Sequence, residues 1–138
     1  MKDIDAAWLA GIFDGEGSIN SYFRHEQRRG KGQMYSVFLQ VVNTDIEIME
    51  KARAICAVNN KLTRCIRPKR KPLYHLAITR GADVYRILTS IEPYLTSRKL
   101  QRARLALRYL NTRLAWGNGQ GHQLTYSEKD ILRAIQEV

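Results

Sequence analysis

No apolar run in these 138 residues approaches the roughly 20 that a membrane span needs. At the N-terminus, Lys2-Asp3-Ile4-Asp5 is not followed by the apolar core of a secretory signal, so the expectation is an intracellular protein that is not secreted. Cysteine is scarce. Cys56 and Cys65 form no C-x-x-C pair and read as reduced thiols, with a disulfide left open. The histidines, His25, His75 and His122, show no H-E-x-x-H or other paired-ligand spacing. There is no Gly-rich phosphate loop and no nucleophile elbow. Asp14-Gly15-Glu16-Gly17-Ser18 faintly echoes a calcium loop, but Ile19 stands where glycine is needed and His25 where the last glutamate belongs.

Acids are also in deficit. Lys plus Arg number 23 against 13 Asp plus Glu, a formal charge of +10. That excess calls for a polyanionic partner, nucleic acid first and an anionic membrane surface second. The 44% apolar fraction is that of a globular chain, and the length suits one domain with a core of its own, residues 1–138.

The chain is organised around Leu9-Ala10-Gly11-Ile12-Phe13-Asp14-Gly15-Glu16-Gly17. Asp3 suits an N-cap, and Ala6, Ala7, Leu9 and Ala10 favour helix, giving a helix over 3–16. Ala7, Gly11 and Gly15 recur at four-residue spacing and so share one face almost without side chains, which another backbone can approach closely. Leu9, Ile12 and Phe13 anchor the helix elsewhere. Gly15 and Gly17 should end it and permit left-handed conformations, with Asp14 and Glu16 at the stop. Two such helices packed through the bare face would bring carboxylates and helix-end carbonyls together, the donors that hard cations such as Mg²⁺ prefer. Without such a partner, the stretch is a small-residue helix with a glycine cap.

Beyond it, Ser18 to Glu26 alternates as a strand, with Ile19, Ser21 and Phe23 opposite Asn20, Tyr22 and Arg24. A basic turn, Gln27 to Gly32, leads to a second strand from Met34 to Asn43. There Tyr35, Val37, Leu39 and Val41 oppose Ser36, Phe38, Gln40 and Val42. Thr44 and Glu47 form a capping box for a helix from Asp45 to about Val58, ended by Asn59-Asn60. Its buried stripe is Ile48, Ala52 and Ile55, with Cys56 or Met49. Lys61 to Pro68 and Leu73 to Thr79 make a second hairpin around the cationic turn Pro68 to Pro72. Helices follow at about Ala82 to Ile91, closed by Pro93, and at Ser97 to Leu110, with Leu100, Ala103, Leu107 and Leu110 inward. Residues 111–126 read as a polar loop, and a capping box at Thr125 and Glu128 starts a last helix, so that 111–138 is a C-terminal loop and helix.

The fold class is therefore α+β. An αββαββα order forms one four-stranded antiparallel sheet with helices on one face, plus C-terminal helices. The free face carries polar and basic side chains and ends in two basic tips, a surface suited to a DNA groove. A solvated turn is the ordinary reading of each charge run alone.

LAGIFDGEG, followed by Ser18 and Ile19, resembles the motif of the LAGLIDADG homing endonucleases position by position, with Glu for the second acid. The resemblance extends over about residues 5–110, and Gly121 to Thr125 resembles the tail of many members. One motif copy implies a single-motif, intron-encoded type. That type is a homodimer joined through the motif helices by Ile4, Ala7, Trp8, Gly11 and Gly15, with a saddle of two sheets on near-palindromic double-stranded DNA. It implies a bacterial or phage cytoplasm or an organelle, and no membrane.

The resemblance also implies the chemistry. Glu16, with the Gly15 carbonyl, would bind Mg²⁺, with Mn²⁺ or Ca²⁺ able to substitute for binding. Asp14 would hold the helix end. Arg98 falls where the family often has Lys and would act electrostatically, because arginine does not give up its proton. Lys99 takes the place if the register slips by one. Asn43 matches a residue that orders water, or simply precedes a helix cap. Contacts to DNA are expected from Asn20, Tyr22, Arg24, Ser36, Phe38 and Gln40 on the first hairpin and from His75 and Ala77 on the second. Arg28, Arg29 and Lys31 at one tip and Lys69, Arg70 and Lys71 at the other would meet phosphate, joined by Lys61, Arg64 and Arg67. The implied function is a metal-dependent, site-specific endonuclease that cuts both strands. The alternatives are an RNA maturase or DNA-binding protein of the same fold without cleavage, and a module unrelated to nucleic acid.

Overall fold

A computed structural model describes residues 1–24, 34–115 and 125–138. The first hairpin tip with Arg28, Arg29 and Lys31, and the 116–124 segment with the Gly121 to Leu124 stretch, lie outside the described residues.

The order among the described residues is α1 (Asp3–Glu16), β1 (Gly17–Arg24), β2 (Met34–Asn43), α2 (Ile46–Cys56), β3 (Thr63–Cys65), β4 (Leu73–Ile78), α3 (Gly81–Ile91), α4 (Ser97–Leu114) and α5 (Tyr126–Glu137). The four strands form one antiparallel sheet in the order β1-β2-β4-β3. Both hairpins thus join one sheet, with their second strands paired at its centre.

Alternation decides the faces. Ile19, Val37, Leu39, Val41, Leu76 and Ile78 are buried under the helices. They meet Ala6, Leu9, Ala10 and Phe13 of α1, Met49, Ala52 and Cys56 of α2, and Val84, Ile87, Leu88 and Ile91 of α3 in one core. Ser21 lies among them because its hydroxyl donates to the Leu132 carbonyl at 2.6 Å, which docks α5 on β1. Gln136 donates to the Ser21 carbonyl at 3.2 Å, fastening the same helix to the strand edge.

Several boundaries differ from the sequence expectation. Asp3 lies inside the first turn of α1; Lys2 is the cap residue and makes no side-chain cap bond. Gly17 follows the helix with an extended φ of −94°, not a left-handed one. The cap of α2 is Asp45, not Thr44, its carboxylate accepting from the Glu47 and Ile48 amides. That helix ends on Ala57, at φ 51° and ψ 49°, not on the asparagines. Asn60 instead donates to the Ala77 carbonyl at 2.9 Å. After α3 the chain continues through a 3-10 turn, Glu92–Tyr94, and α4 runs one turn past Leu110. Along α4, Ala103, Ala106, Tyr109 and Leu110 are buried, while Leu100 and Leu107 are only half-buried. The Thr125–Glu128 capping box forms as expected, and buried Glu128 also faces Arg113 of α4 at 3.6 Å. Both cysteines are free, Cys56 buried and Cys65 exposed, and burial pushes the Cys56 thiol up to about 12.

Ala57 is a non-glycine residue in the left-handed region, a conformation that costs roughly 1–2 kcal/mol. The alanine-to-glycine exchange also loosens the unfolded chain by about 0.4–1 kcal/mol. The expected net effect of Ala57→Gly is a stabilisation of about 0.5–1 kcal/mol, read as a raised melting temperature.

Candidate metal centre and nucleic-acid interface

The end of α1 is assembled by Phe13, Gly17, Lys99, Asp14 and Thr96. Gly17 is buried at the turn into β1, where a Cβ would lie 2.5 Å from Phe13 Cδ1 and 2.7 Å from Phe13 Cα. Glycine is needed here for close approach, not for an unusual φ. The last carbonyls of a helix have no intrahelical partner and carry partial negative charge. Here the Phe13 carbonyl accepts from the Gly17 amide and also from the Lys99 ammonium at 3.1 Å, and Lys99 donates as well to the Gly17 carbonyl. Burial lowers the Lys99 ammonium below its ordinary range, Arg102 adds to that, and Asp14 opposes it.

Asp14 points across to the start of α4. Its carboxylate accepts from the Thr96 hydroxyl at 2.9 Å and the Thr96 amide at 3.2 Å. Ser97 comes next at φ 48°, a left-handed turn, before Arg98 and Lys99. Arg98 is exposed; Lys99, the next residue, is the one that reaches the helix end. Glu16 and Gly15 stand exposed just beyond. Among the described residues no group of three or more His, Cys, Asp or Glu side chains within one chain could hold a metal. A single carboxylate with neighbouring carbonyls is by itself an incomplete donor set for a hard cation. Asn43 sits at the end of β2, where its Oδ1 accepts from the Asp45 amide at 2.8 Å, so its side chain shapes the entrance to α2.

The opposite side of α1 is bare. Ile4 is 77% exposed, and Ala7, Gly11 and Gly15 are exposed with it. A Cβ at Gly11 or Gly15 would meet nothing within 4 Å. Glycine inside a helix costs about 1 kcal/mol relative to alanine, and nothing inside the described residues of the protomer demands it at either place. Trp8 is half-buried at the margin, with the Lys51 ammonium 4.4 Å from its ring centre.

On the sheet, cross-strand partners share a face. Asn20 pairs with Phe38, Gln40 with Ala77 and Val42 with His75 on the face opposite the core, Tyr22 follows Asn20 on that face, and Asn20 Oδ1 is met at the strand edge by Arg102 of α4. In the same ladder Arg24 pairs with Met34. Arg64 is not on the face opposite the core: it pairs with Tyr74, whose ring packs against the core, so Arg64 lies on the helix side. Thr63 and Cys65, unread from the sequence, take the free face instead, opposite His75 and Leu73. The reason is that β3 is a three-residue strand whose facing is set by β4 rather than by its own alternation. Arg67 spends its guanidinium on the second hairpin tip, donating to the Lys71 carbonyl at 3.1 Å. Lys61, Lys69, Arg70 and Lys71 are exposed. No described helix is long and apolar enough to cross a membrane.

The LAGLIDADG-like domain family matches residues 3–92. No curated protein sequence matches this chain. Among solved structures, the homing endonuclease I-CvuI in complex with the I-CreI target is similar at a TM-score of 0.66 and 20% identity, over 98% of this chain and 96% of that one. The group I intron-encoded homing endonuclease I-CeuI, complexed with DNA, aligns at 0.76 and 14% identity over 99% and 68%. The I-SmaMI LAGLIDADG homing endonuclease bound to cleaved DNA aligns at 0.70 and 16% identity over 94% of this chain but 42% of its own length. What these proteins have in common with the chain is the fold: the four-stranded antiparallel sheet and its helices.

The two helix-end glycines should respond oppositely to alanine. Gly17→Ala drives a Cβ into the Phe13 backbone, and the expected loss is about 1–3 kcal/mol, seen as a lower melting temperature. Gly15→Ala has open space around it within the protomer and should leave the protomer's fold intact.

Proposed function

Because the chain belongs to the LAGLIDADG-like domain family, we propose that it is a homodimeric endonuclease that hydrolyses both strands of a long, near-palindromic duplex DNA with a divalent cation. The observation that carries this reading is α1 itself. One face of it is buried in the core; the other presents Ile4, Ala7, Gly11 and Gly15 to solvent and ends in the exposed carboxylate of Glu16. Two copies packed through that face bring two Glu16 carboxylates to one axis. The fold shared with DNA-complexed endonucleases, the +10 charge and the polar free sheet face support DNA as the partner.

The residues present fit a hard cation: Glu16 of both copies and the main-chain oxygen of Gly15 would hold it. When bound, it supplies Lewis acidity and charge neutralisation to a phosphodiester. The chain's own groups do the rest. Lys99 holds its ammonium at the Phe13 and Gly17 carbonyls, and its lowered pKa lets Nζ give up a proton more readily than an ordinary lysine. Arg98, exposed at the start of α4, serves as a cation toward phosphate. Asp14 anchors the start of α4 through Thr96, so that the register of Arg98 and Lys99 against α1 is fixed. Asn20, Tyr22, Phe38, Gln40, His75 and Ala77 on the free face meet base edges, and Lys69, Arg70 and Lys71 meet phosphates.

Glu16→Gln keeps the shape and lowers the charge at the axis. Plasmid cleavage should fall by at least roughly 10²–10³-fold while duplex binding in Ca²⁺ persists. Normal cleavage by this variant would remove Glu16 from the mechanism, and a wild type that binds duplex but never cleaves in Mg²⁺ would favour the binding-only relative.

Gly11→Leu tests the dimer. Since a side chain there meets nothing within 4 Å in the protomer, it should act on the interface and not on the fold. The expected result is sedimentation as a monomer with loss of cleavage. An active dimer would place the interface elsewhere.

A further inference from the structure

We infer that Arg102 is a positioning residue that fixes which hydrogen-bonding group Asn20 offers to DNA, making Asn20 a donor that selects a base-edge acceptor. The inference rests on the proposed DNA reading and adds to it a residue of α4 that acts through Asn20. Arg102 lies on α4 with its guanidinium half-buried and held from several sides. Its Nε and Nη2 donate to the Val138 main-chain oxygen at 2.9 and 2.6 Å, and its Nη1 donates to the Ile19 carbonyl at 3.3 Å. The same Nη1 donates to Asn20 Oδ1 at 2.9 Å. A guanidinium has donors and no acceptor. The group of Asn20 that faces it must therefore be the carbonyl oxygen, so the chemistry of the pair fixes the amide orientation.

An asparagine free to turn offers a donor and an acceptor together, the pair that matches adenine N6 and N7 in the major groove. Oδ1 has a second lone pair, but with the oxygen turned to Arg102 the amide turns its Nδ2 end, with two donors, away from the guanidinium, and that end is its outward polar contribution. Asn20 stands on the free face of β1 by register with Phe38, where a strand holds a side chain in fixed relation to the groove. A donor alone is satisfied by guanine O6 and N7, less fully by thymine O4 or adenine N7, and is opposed by the cytosine amino group. Because Arg102 is tied to the Ile19 carbonyl and to Val138 beyond α5, the orientation of Asn20 depends on the docking of α5 and not on the sheet alone.

The test is selection of bound sequences from a library of randomised duplex oligonucleotides in Ca²⁺, with the full-length chain. The wild type should prefer guanine and disfavour cytosine at one pair of symmetry-related positions, by roughly five- to tenfold. Asn20→Asp, which presents oxygen in place of the amide, should reverse that preference toward cytosine or adenine at the same two positions. Arg102→Met frees the amide and should raise adenine there, without changing other positions. Arg102→Lys retains one donor for Oδ1 and should restore the guanine preference. A uniform affinity loss in Arg102→Met with an unchanged base profile would make Arg102 merely structural and overturn the inference. So would an Asn20→Asp profile identical to wild type. A wild type that retains no duplex overturns the DNA reading itself, and this inference with it.

Discussion

The carbonyl end of a helix carries partial negative charge, and in this chain the ammonium of Lys99 lies against it, donating to the Phe13 carbonyl, which also accepts from the Gly17 amide, and to the Gly17 carbonyl just past the helix. That contact governs the geometry around it. It draws the start of α4 against the end of α1, where Asp14 reaches the other way to Thr96, so that two reciprocal polar contacts lock the helices. It also takes a lysine partly out of water, and the cost of that desolvation appears as a lowered pKa. The interaction that closes the fold thus holds an ammonium whose pKa is lowered at the end of the helix that carries the exposed Glu16.

The motif helix serves two surfaces at once, and its periodicity separates them. Positions 6, 9, 10 and 13 carry Ala, Leu, Ala and Phe into the core, with all four essentially inaccessible. Positions 7, 11 and 15 carry Ala, Gly and Gly outward. Replacing the outward glycines would improve the isolated helix, yet nothing in the described protomer fills the space they leave. Gly17 is the contrasting case, held in place by contact with Phe13 within the protomer itself. Glycines that look alike in the sequence therefore answer to different constraints, one inside the chain and, in the proposed dimer, one between chains.

Much of the fold was legible because periodicity and hairpin turns act locally: strand faces, helix existence and the Thr125–Glu128 box all depend on residues within a few positions of one another. The features that no local pattern sets share a different cause. Asp45 displaces Thr44 as cap because the Asn43 side chain accepts its amide and turns the chain one residue later. Lys99 rather than Arg98 meets α1 because the 3-10 turn at Glu92–Tyr94 and the left-handed Ser97 set the phase of α4, and one residue of phase rotates a side chain by about 100°. Arg64 turns to the helix side because the pairing with β4 decides it. The bond from Arg102 to Asn20 spans 82 positions, and no local pattern signals it.

The edges of the sheet bear on how two copies could meet. An exposed edge strand invites pairing with another chain, and proteins that must not aggregate blunt it. Here β1 is covered on its outer side by Arg102 and Gln136, which occupy the Ile19 and Ser21 carbonyls. On the other side, β3 is only three residues long and is soon succeeded by Pro68. Neither edge offers a long ladder to a second copy. Self-association through strands is thereby disfavoured, while the side-chain-free stripe of α1 stays open to close packing. With both sheet edges occupied or short, strand pairing does not compete with the helix packing that the proposed dimer requires.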